Sequence, residues 1–325
     1  VQSWRITLNA SLLKSLWQEF NRYKAWLDEQ SVGSHTQRAY VSRLNQFFVF
    51  LATEDNAYEE VLSSKRVRNR AVEDYKDYLK HHLKYNPSTI NTTLSTIDHF
   101  YGFIGLGEPD IEREPLKKGT PVALTQEEER SLLWTVERSL SLRDLALVLV
   151  FLRAGLRVGE CAALNLEDVD ASGERVTVNI RSEKKNRARL IALDAETGEA
   201  IKSWITRRSL KFPNNSDQAL FLSRLGRRIT TAGIDLTIRK YGRSIGIEIS
   251  AEVLRHTCLT RMLSTGKDLS LVKRLSGHKR LETTKRYRPA AISICEDFSP
   301  AKQEDVLSEG GLQIITFETF EPMPS

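Results

Sequence analysis

The chain has little of what holds small secreted or metal-built proteins together. Its 325 residues include three cysteines, Cys161, Cys258 and Cys295, far apart and without a CxxC pair. This spacing excludes a disulfide frame and a cysteine-based zinc site, and reads as intracellular thiols filling a core. No uninterrupted apolar run is long enough to span a bilayer, so no membrane partner is expected. The first residues, Val1-Gln2-Ser3-Trp4-Arg5, lack the apolar core of a secretory leader, and the expected location is cytoplasmic. There is no internal repeat and no low-complexity tract.

What the chain does have is positive charge, unevenly spread. The net charge is +6 and the pI about 9.1, which points toward a polyanion. Residues 288–325 carry two basic side chains, Arg288 and Lys302, against seven acidic ones, a net of −5. Residues 1–287 therefore carry +11. The basic body is the expected nucleic-acid binder, and the acidic tail is a separate element.

A chain of this length predicts two domains. The first third reads as helices. From Thr36 to Ala52, Tyr40, Leu44, Phe47, Phe48 and Leu51 share one face. After Asn86-Pro87, Ser88 is the expected cap of a helix with the apolar stripe Ile90, Leu94, Ile97, Phe100, Tyr101 and Ile104. Before it, Arg66, Arg68 and Arg70 concentrate positive charge, which suits a phosphate-docking edge and equally a solvated basic face. Residues 1–108 form the first expected domain, and 109–121 a linker broken by proline and glycine. In that linker Lys117 and Lys118 are candidate phosphate contacts.

Residues 122–290 form the second expected domain, opening on the capping box Thr125-Gln126-Glu127-Glu128. Helices are predicted over 142–154, 158–164, 196–208, 231–244, 251–263 and 270–275. Between them Arg175–Ile180 and Arg189–Leu193 alternate as paired strands around a polar, basic connector. The expected fold is mainly helical with a small antiparallel sheet in the second domain. Arg239, Lys240 and Arg243 on the 231–244 helix are further candidate DNA contacts. Residues 291–325 form an acidic and apolar tail, in which Leu312, Ile314, Ile315 and Phe317 suit either an apolar plug for a neighbouring protomer or packing on their own domain.

Four residues in the second domain, two arginines, a histidine and a tyrosine, make sense around one substrate, a phosphodiester. Arg157, in Ala154-Gly155-Leu156-Arg157, and Arg255, in Val253-Leu254-Arg255-His256-Thr257, supply planar forks that grip phosphate oxygens. His278 follows in Leu275-Ser276-Gly277-His278, and Tyr287 stands nine residues later. A tyrosine hydroxyl serves as a covalent nucleophile when neighbours help it lose its proton.

In that order and spacing, these segments resemble the tyrosine recombinase (phage integrase) family, and the resemblance covers nearly the whole chain. It implies a two-domain DNA clamp, with the N-terminal helices as the core-binding domain. It makes Tyr287 the nucleophile, forming a 3′-phosphotyrosyl link, and Arg157 and Arg255 the clamp on the non-bridging oxygens. His278 would hydrogen-bond the phosphate, and Glu160 would hold an arginine or a neighbouring donor. Lys184, aligned with the family's hairpin lysine, would protonate the leaving 5′-oxygen, and Lys185 is its rival. Where the family's His-x-x-Arg puts histidine, this chain has Glu252. It stands either as a proton acceptor for Tyr287, as a partner of Arg255, or as a tolerated substitution. His256, counted from Arg255, falls on another side of the helix and is set aside.

The resemblance further implies no metal, nucleotide or other cofactor, a duplex DNA partner with an inverted-repeat site, a homotetramer on DNA and a Holliday junction. Two other activities share parts of the pattern: a type IB topoisomerase-like or hairpin-forming strand transferase, and a DNA-binding accessory protein that has lost catalysis. Whether the task is integration, excision, cointegrate or dimer resolution is not written in the sequence.

Overall fold

In the first third, apolar residues recur every three or four positions, and each such stretch becomes a helix with one buried face. The computed structural model describes residues 10–30, 33–53, 57–116, 121–181 and 188–288. The chain divides into two compact units, Val1–Lys118 and Gly119–Ser325.

The first unit contains α1 (Ala10–Glu29), α2 (Ser34–Thr53), α3 (Lys65–Asp77), which runs on as a π-helical turn over Tyr78–His82, and α4 (Pro87–Phe103). Leu16, Phe20 and Tyr23 of α1 meet Phe47 and Phe48 of α2 and Ile97 and Phe100 of α4 in one core. Full burial of each contributes on the order of 2 kcal/mol. The cap of α4 is Asn86, whose Oδ1 accepts from the Thr89 N–H at 2.8 Å, with Pro87 in the first helical turn. The expected cap, Ser88, lies inside the helix, because proline at the first position is already preset for helical φ.

One expected DNA contact is corrected here. Arg68 is 4% exposed; its guanidinium donates to the carbonyls of Val61 and Leu106, each at 3.1 Å, and lies over the Tyr101 ring. Its guanidinium is turned into the core of this unit, away from a phosphate at the surface. Arg66 and Arg70 are exposed, and Arg70 pairs with Asp74 at 3.5 Å. The described part of the expected linker, residues 109–116, has no regular structure but is tied to this unit. Asn91 of α4 exchanges two hydrogen bonds of 2.8 Å with the Glu114 backbone, and Lys80 meets the Glu114 carboxylate at 3.0 Å.

The second unit opens on α5 (Gln126–Arg138), with both hydrogen bonds of the Thr125–Glu128 capping box formed. It continues through α6 (Leu142–Leu149) with a π-helical turn over Val150–Ala154, then α7 (Val158–Ala163). Three antiparallel strands follow in the order β1 (Val169–Asp170), β2 (Thr177–Ile180) and β3 (Arg189–Ala192), with Val178 opposite Ile191. The unit ends with α8 (Ala195–Lys211), α9 (Thr231–Ser244), α10 (Ala251–Ser264), α11 (Leu269–Ser276) and the one-turn α12 (Leu281–Lys285). Val178, Ile180 and Ile191 turn inward from the sheet onto the core that holds Phe151, Ile201, Trp204 and Leu254. Among the described residues, no helix is long and apolar enough to cross a membrane.

Candidate active site

Two glycines set the frame. Gly155 ends the π-helical turn at φ +62°, and Gly277 ends α11 at φ +64°, a left-handed conformation that side-chain-bearing residues rarely adopt. The carbonyls at such helix ends carry partial negative charge and attract cations. Each receives one of the two arginines.

Arg255 of α10 is 1% exposed. Its Nη1 donates to the Gly155 carbonyl, and its Nη2 donates to the Ser276 carbonyl at 2.7 Å and meets His278 Nε2 at 3.2 Å. Arg157, just before α7, donates from Nη2 to the Gly277 carbonyl at 2.8 Å and from Nη1 to Glu160 Oε1 at 2.9 Å. The backbone N–H of Arg157 reaches Glu160 Oε2 at 2.8 Å. Arg189 of β3 grips the same carboxylate with both Nη atoms, at 2.9 and 2.8 Å, and donates from Nε to the Leu275 carbonyl at 2.7 Å. Burial pushes the Glu160 carboxyl upward, but hydrogen bonds and charge from Arg189, joined by Arg157, hold it down at about 2. One carboxylate thus ties the sheet, α7 and the end of α11 together.

His278 reads as a neutral imidazole from its partners alone. Arg255 can only donate, so Nε2 accepts; Nδ1 then carries the proton and faces Thr284 Oγ1 at 3.0 Å. Burial, helped by the charges of Arg255 and Arg157, pulls its pKa down to about 4. In this tautomer His278 props Arg255, and donating from Nε2 to a phosphate would take a second proton.

Tyr287, just past α12, is 4% exposed. Its ring stacks on His278, with centroids 5.9 Å apart, and meets the His256 ring edge-on at 5.4 Å. Among the described residues its hydroxyl makes no hydrogen bond. Burial pushes the phenol pKa up, Arg255 pulls it down and Glu252 pushes it up again. Tyr287, Arg157, Glu252, Arg255, His256 and His278 line one cavity of about 420 Å³ with Pro121, Thr283 and Arg286.

His256 is thus a correction to the sequence reading. It stands one helical turn after Glu252, and the two share the stripe of α10 that faces the cavity. Its Nε2 is 3.0 Å from Glu252 Oε1. The four-residue spacing from Glu252 was the signal; counting from Arg255 hid it. Arg189 was missed because an arginine at the start of an apolar strand looks like a solvent-facing residue. Arg239, Lys240 and Arg243 are exposed on α9. Lys184, Lys185, Lys117, Lys118 and the tail from 291 onward lie outside the described residues. Among the described residues no group of three or more His, Cys, Asp or Glu side chains is placed to hold a metal ion.

The chain matches two family profiles: the phage integrase family over residues 123–292, and the phage integrase N-terminal SAM-like domain over 20–105. It is 28% identical to the tyrosine recombinase XerC of Chlamydia pneumoniae, over 82% of this chain and 91% of that protein. The XerH site-specific recombinase bound to palindromic difH substrate superposes with a TM-score of 0.65 at 17% identity, over 90% of this chain and 89% of that one. The Tn1549 transposon integrase in complex with transposon right end DNA gives 0.65 at 15% identity, over 88% and 99%. The catalytic profile alone spans just over half of the chain, which therefore belongs to the phage integrase family of tyrosine recombinases, enzymes that cut and rejoin DNA strands.

Proposed function

We propose that this recombinase works on duplex DNA through the cavity that holds Tyr287. The Tyr287 oxygen attacks the scissile phosphorus, the bond to the 5′-oxygen breaks, and a 3′-phosphotyrosyl ester remains with a free 5′-hydroxyl. One phosphodiester is exchanged for another, so rejoining needs no nucleotide. Arg157 and Arg255 face the charge that builds on the non-bridging oxygens in the transition state, the role a metal ion plays elsewhere. Lys184 is assigned the leaving-group proton on the family pattern. His278 and Glu160 hold the two arginines.

The observation that carries this reading is the convergence of Tyr287 with both arginines in one cavity, although Arg157 and Tyr287 stand 130 residues apart in the chain. The helical domain 1–108 supplies the second jaw of a clamp, with Arg66 and Arg70 on it and Arg239, Lys240 and Arg243 on the catalytic domain 122–290 as phosphate contacts. Identical protomers cutting both strands of a duplex call for dyad-related half-sites, hence an inverted repeat. Exchange of both strands between two sites needs four nucleophiles, hence a tetramer passing through a Holliday junction. The work takes place in the cytoplasm, on cellular DNA.

Covalent capture tests this. The protein meets fragmented source DNA in EDTA, is quenched in SDS, and its attached fragments are sequenced beside a Tyr287→Phe control. Fragments sharing one inverted-repeat site, absent from the control, are expected. No adduct on DNA that the protein binds would overturn the reading.

A further inference from the structure

We propose that His256 accepts the proton of Tyr287 and that Glu252 holds it in that role. This rests on the nucleophile assignment above and adds a residue to it.

Tyr287 is a neutral phenol in the cavity, so attack on phosphorus requires an acceptor for its proton. Among the described residues that line the cavity, Arg157, Arg255 and Arg286 only donate. His278 Nε2 already accepts from Arg255, and its Nδ1 faces Thr284. The Thr283 hydroxyl is too weak a base. Glu252 and His256 remain, 3.0 Å apart. A carboxylate only accepts, so His256 Nε2 carries the proton toward Glu252 and Nδ1 keeps the lone pair.

The His256 ring stands edge-on to Tyr287 at 5.4 Å. Glu252 is the more exposed partner, with 58% of its side chain in solvent. The hydrogen bond from His256 holds its carboxyl below the ordinary range, which leaves it the weaker base. Histidine is the side chain most often used for general acid–base proton transfer, and here its Nδ1 lone pair is free of the Glu252 hydrogen bond.

The step balances. As the bond from Tyr287 Oη to phosphorus forms and the bond to the 5′-oxygen breaks, the Oη proton passes to His256 Nδ1, directly or through one water. The leaving 5′-oxygen takes its proton from the general acid. On rejoining, His256 returns the proton to Oη. The Glu252 carboxylate offsets the imidazolium charge, which Arg255 on the same helix, Arg157 before α7, and Arg286 beyond α12 oppose. Among the described residues, neutral His278 and the Tyr287 phenol line the same cavity.

The test uses the full chain and duplexes of the captured site, with either the ordinary 5′-oxygen or a bridging 5′-sulfur, whose thiolate leaves without a general acid. Single-turnover adduct formation is followed against pH for the wild type and for H256Q, E252Q and K184A. H256Q is expected to be about a hundredfold slower near neutral pH on both duplexes. Its rate should climb about tenfold per pH unit as hydroxide takes over ionisation of the phenol, whose pKa lies far above neutrality. E252Q should be slowed less, with the same altered profile, and K184A should be restored by sulfur.

H256Q cutting at the wild-type rate would overturn the assignment, as would a loss that sulfur restores. A loss of equal size at every pH would mark His256 as structural and overturn it too, as would a normal profile in E252Q if its H256Q counterpart fails to fold. A wild-type protein that forms no adduct overturns the recombinase reading itself; a wild-type adduct beside an unimpaired H256Q overturns this assignment alone.

Discussion

Replacing Glu160 by glutamine removes the carboxylate that Arg157 and Arg189 share, and the size of the effect follows from its titration. The folded protein holds this group at about 2 against an ordinary 4.5. Each unit corresponds to ~1.4 kcal/mol, which makes the charged network worth about 3 kcal/mol to the second unit. The side chain is 17% exposed, so solvent screens little of it. Because the folded pKa is depressed, this stabilisation is complete above roughly pH 5 and is lost as pH falls toward 2. By linkage about 1 kcal/mol is gone at pH 4 and about 2 kcal/mol at pH 3. Glu160→Gln lacks the titrating group, so its deficit relative to wild type should close from about 3 kcal/mol at pH 7 to about 1 kcal/mol at pH 3. Urea unfolding of both proteins, followed by hydrogen exchange in α8 and α10, isolates the transition of the second unit. A deficit that stays constant between pH 7 and pH 3, or no deficit at all, would refute the account of Glu160 as the charged tie.

His278 should titrate at about 4 in the folded protein, read from its ring proton by NMR against a His278→Gln assignment control. The neutral form is the folded one, so this group's contribution to stability is present above its ordinary 6.5 and declines as pH falls toward 4; a midpoint near 6.5 would contradict the depression by burial and by the charges of Arg255 and Arg157. Arg255→Lys keeps the charge but loses the fork that serves Gly155 and Ser276. It should cost on the order of 2–4 kcal/mol by leaving buried carbonyls unpaired, and it should abolish the adduct; an unchanged urea midpoint would contradict this. In a salt series of duplex binding, Arg66→Ala and Arg239→Ala should each lower the slope of log affinity by about one. Arg68→Ala should leave that slope unchanged and instead destabilise the first unit by roughly 2–3 kcal/mol, and a lowered slope in that variant would return Arg68 to the DNA contacts.

The contrast between Arg66 and Arg68 shows where sequence reading stops. Both stand in one basic run with the same composition around them. The helix places them on different sides, and only the approach of Val61, Tyr101 and Leu106 makes Arg68 internal. The strand β1 and helix α12 went unread for a simpler reason: two and five residues are too few to display a period.

By itself the sequence determined the elements whose signals are local. Periods near 3.6 and 2 placed α2, α4, α9, β2 and β3, the Thr125–Glu128 box placed the start of α5, and motif order placed Arg157, Arg255, His278 and Tyr287 along the chain. Only the tertiary structure decided which polar groups meet. Arg157 reaches Gly277 across 120 residues, Arg255 reaches Gly155 across 100, and Arg189 reaches Glu160 across 29. Periodicity tells which side of an element is apolar, but a guanidinium, a carboxylate and a helix-end carbonyl find each other only when separate elements pack. For that reason His256 could be set aside on paper and still stand beside Tyr287 in the fold.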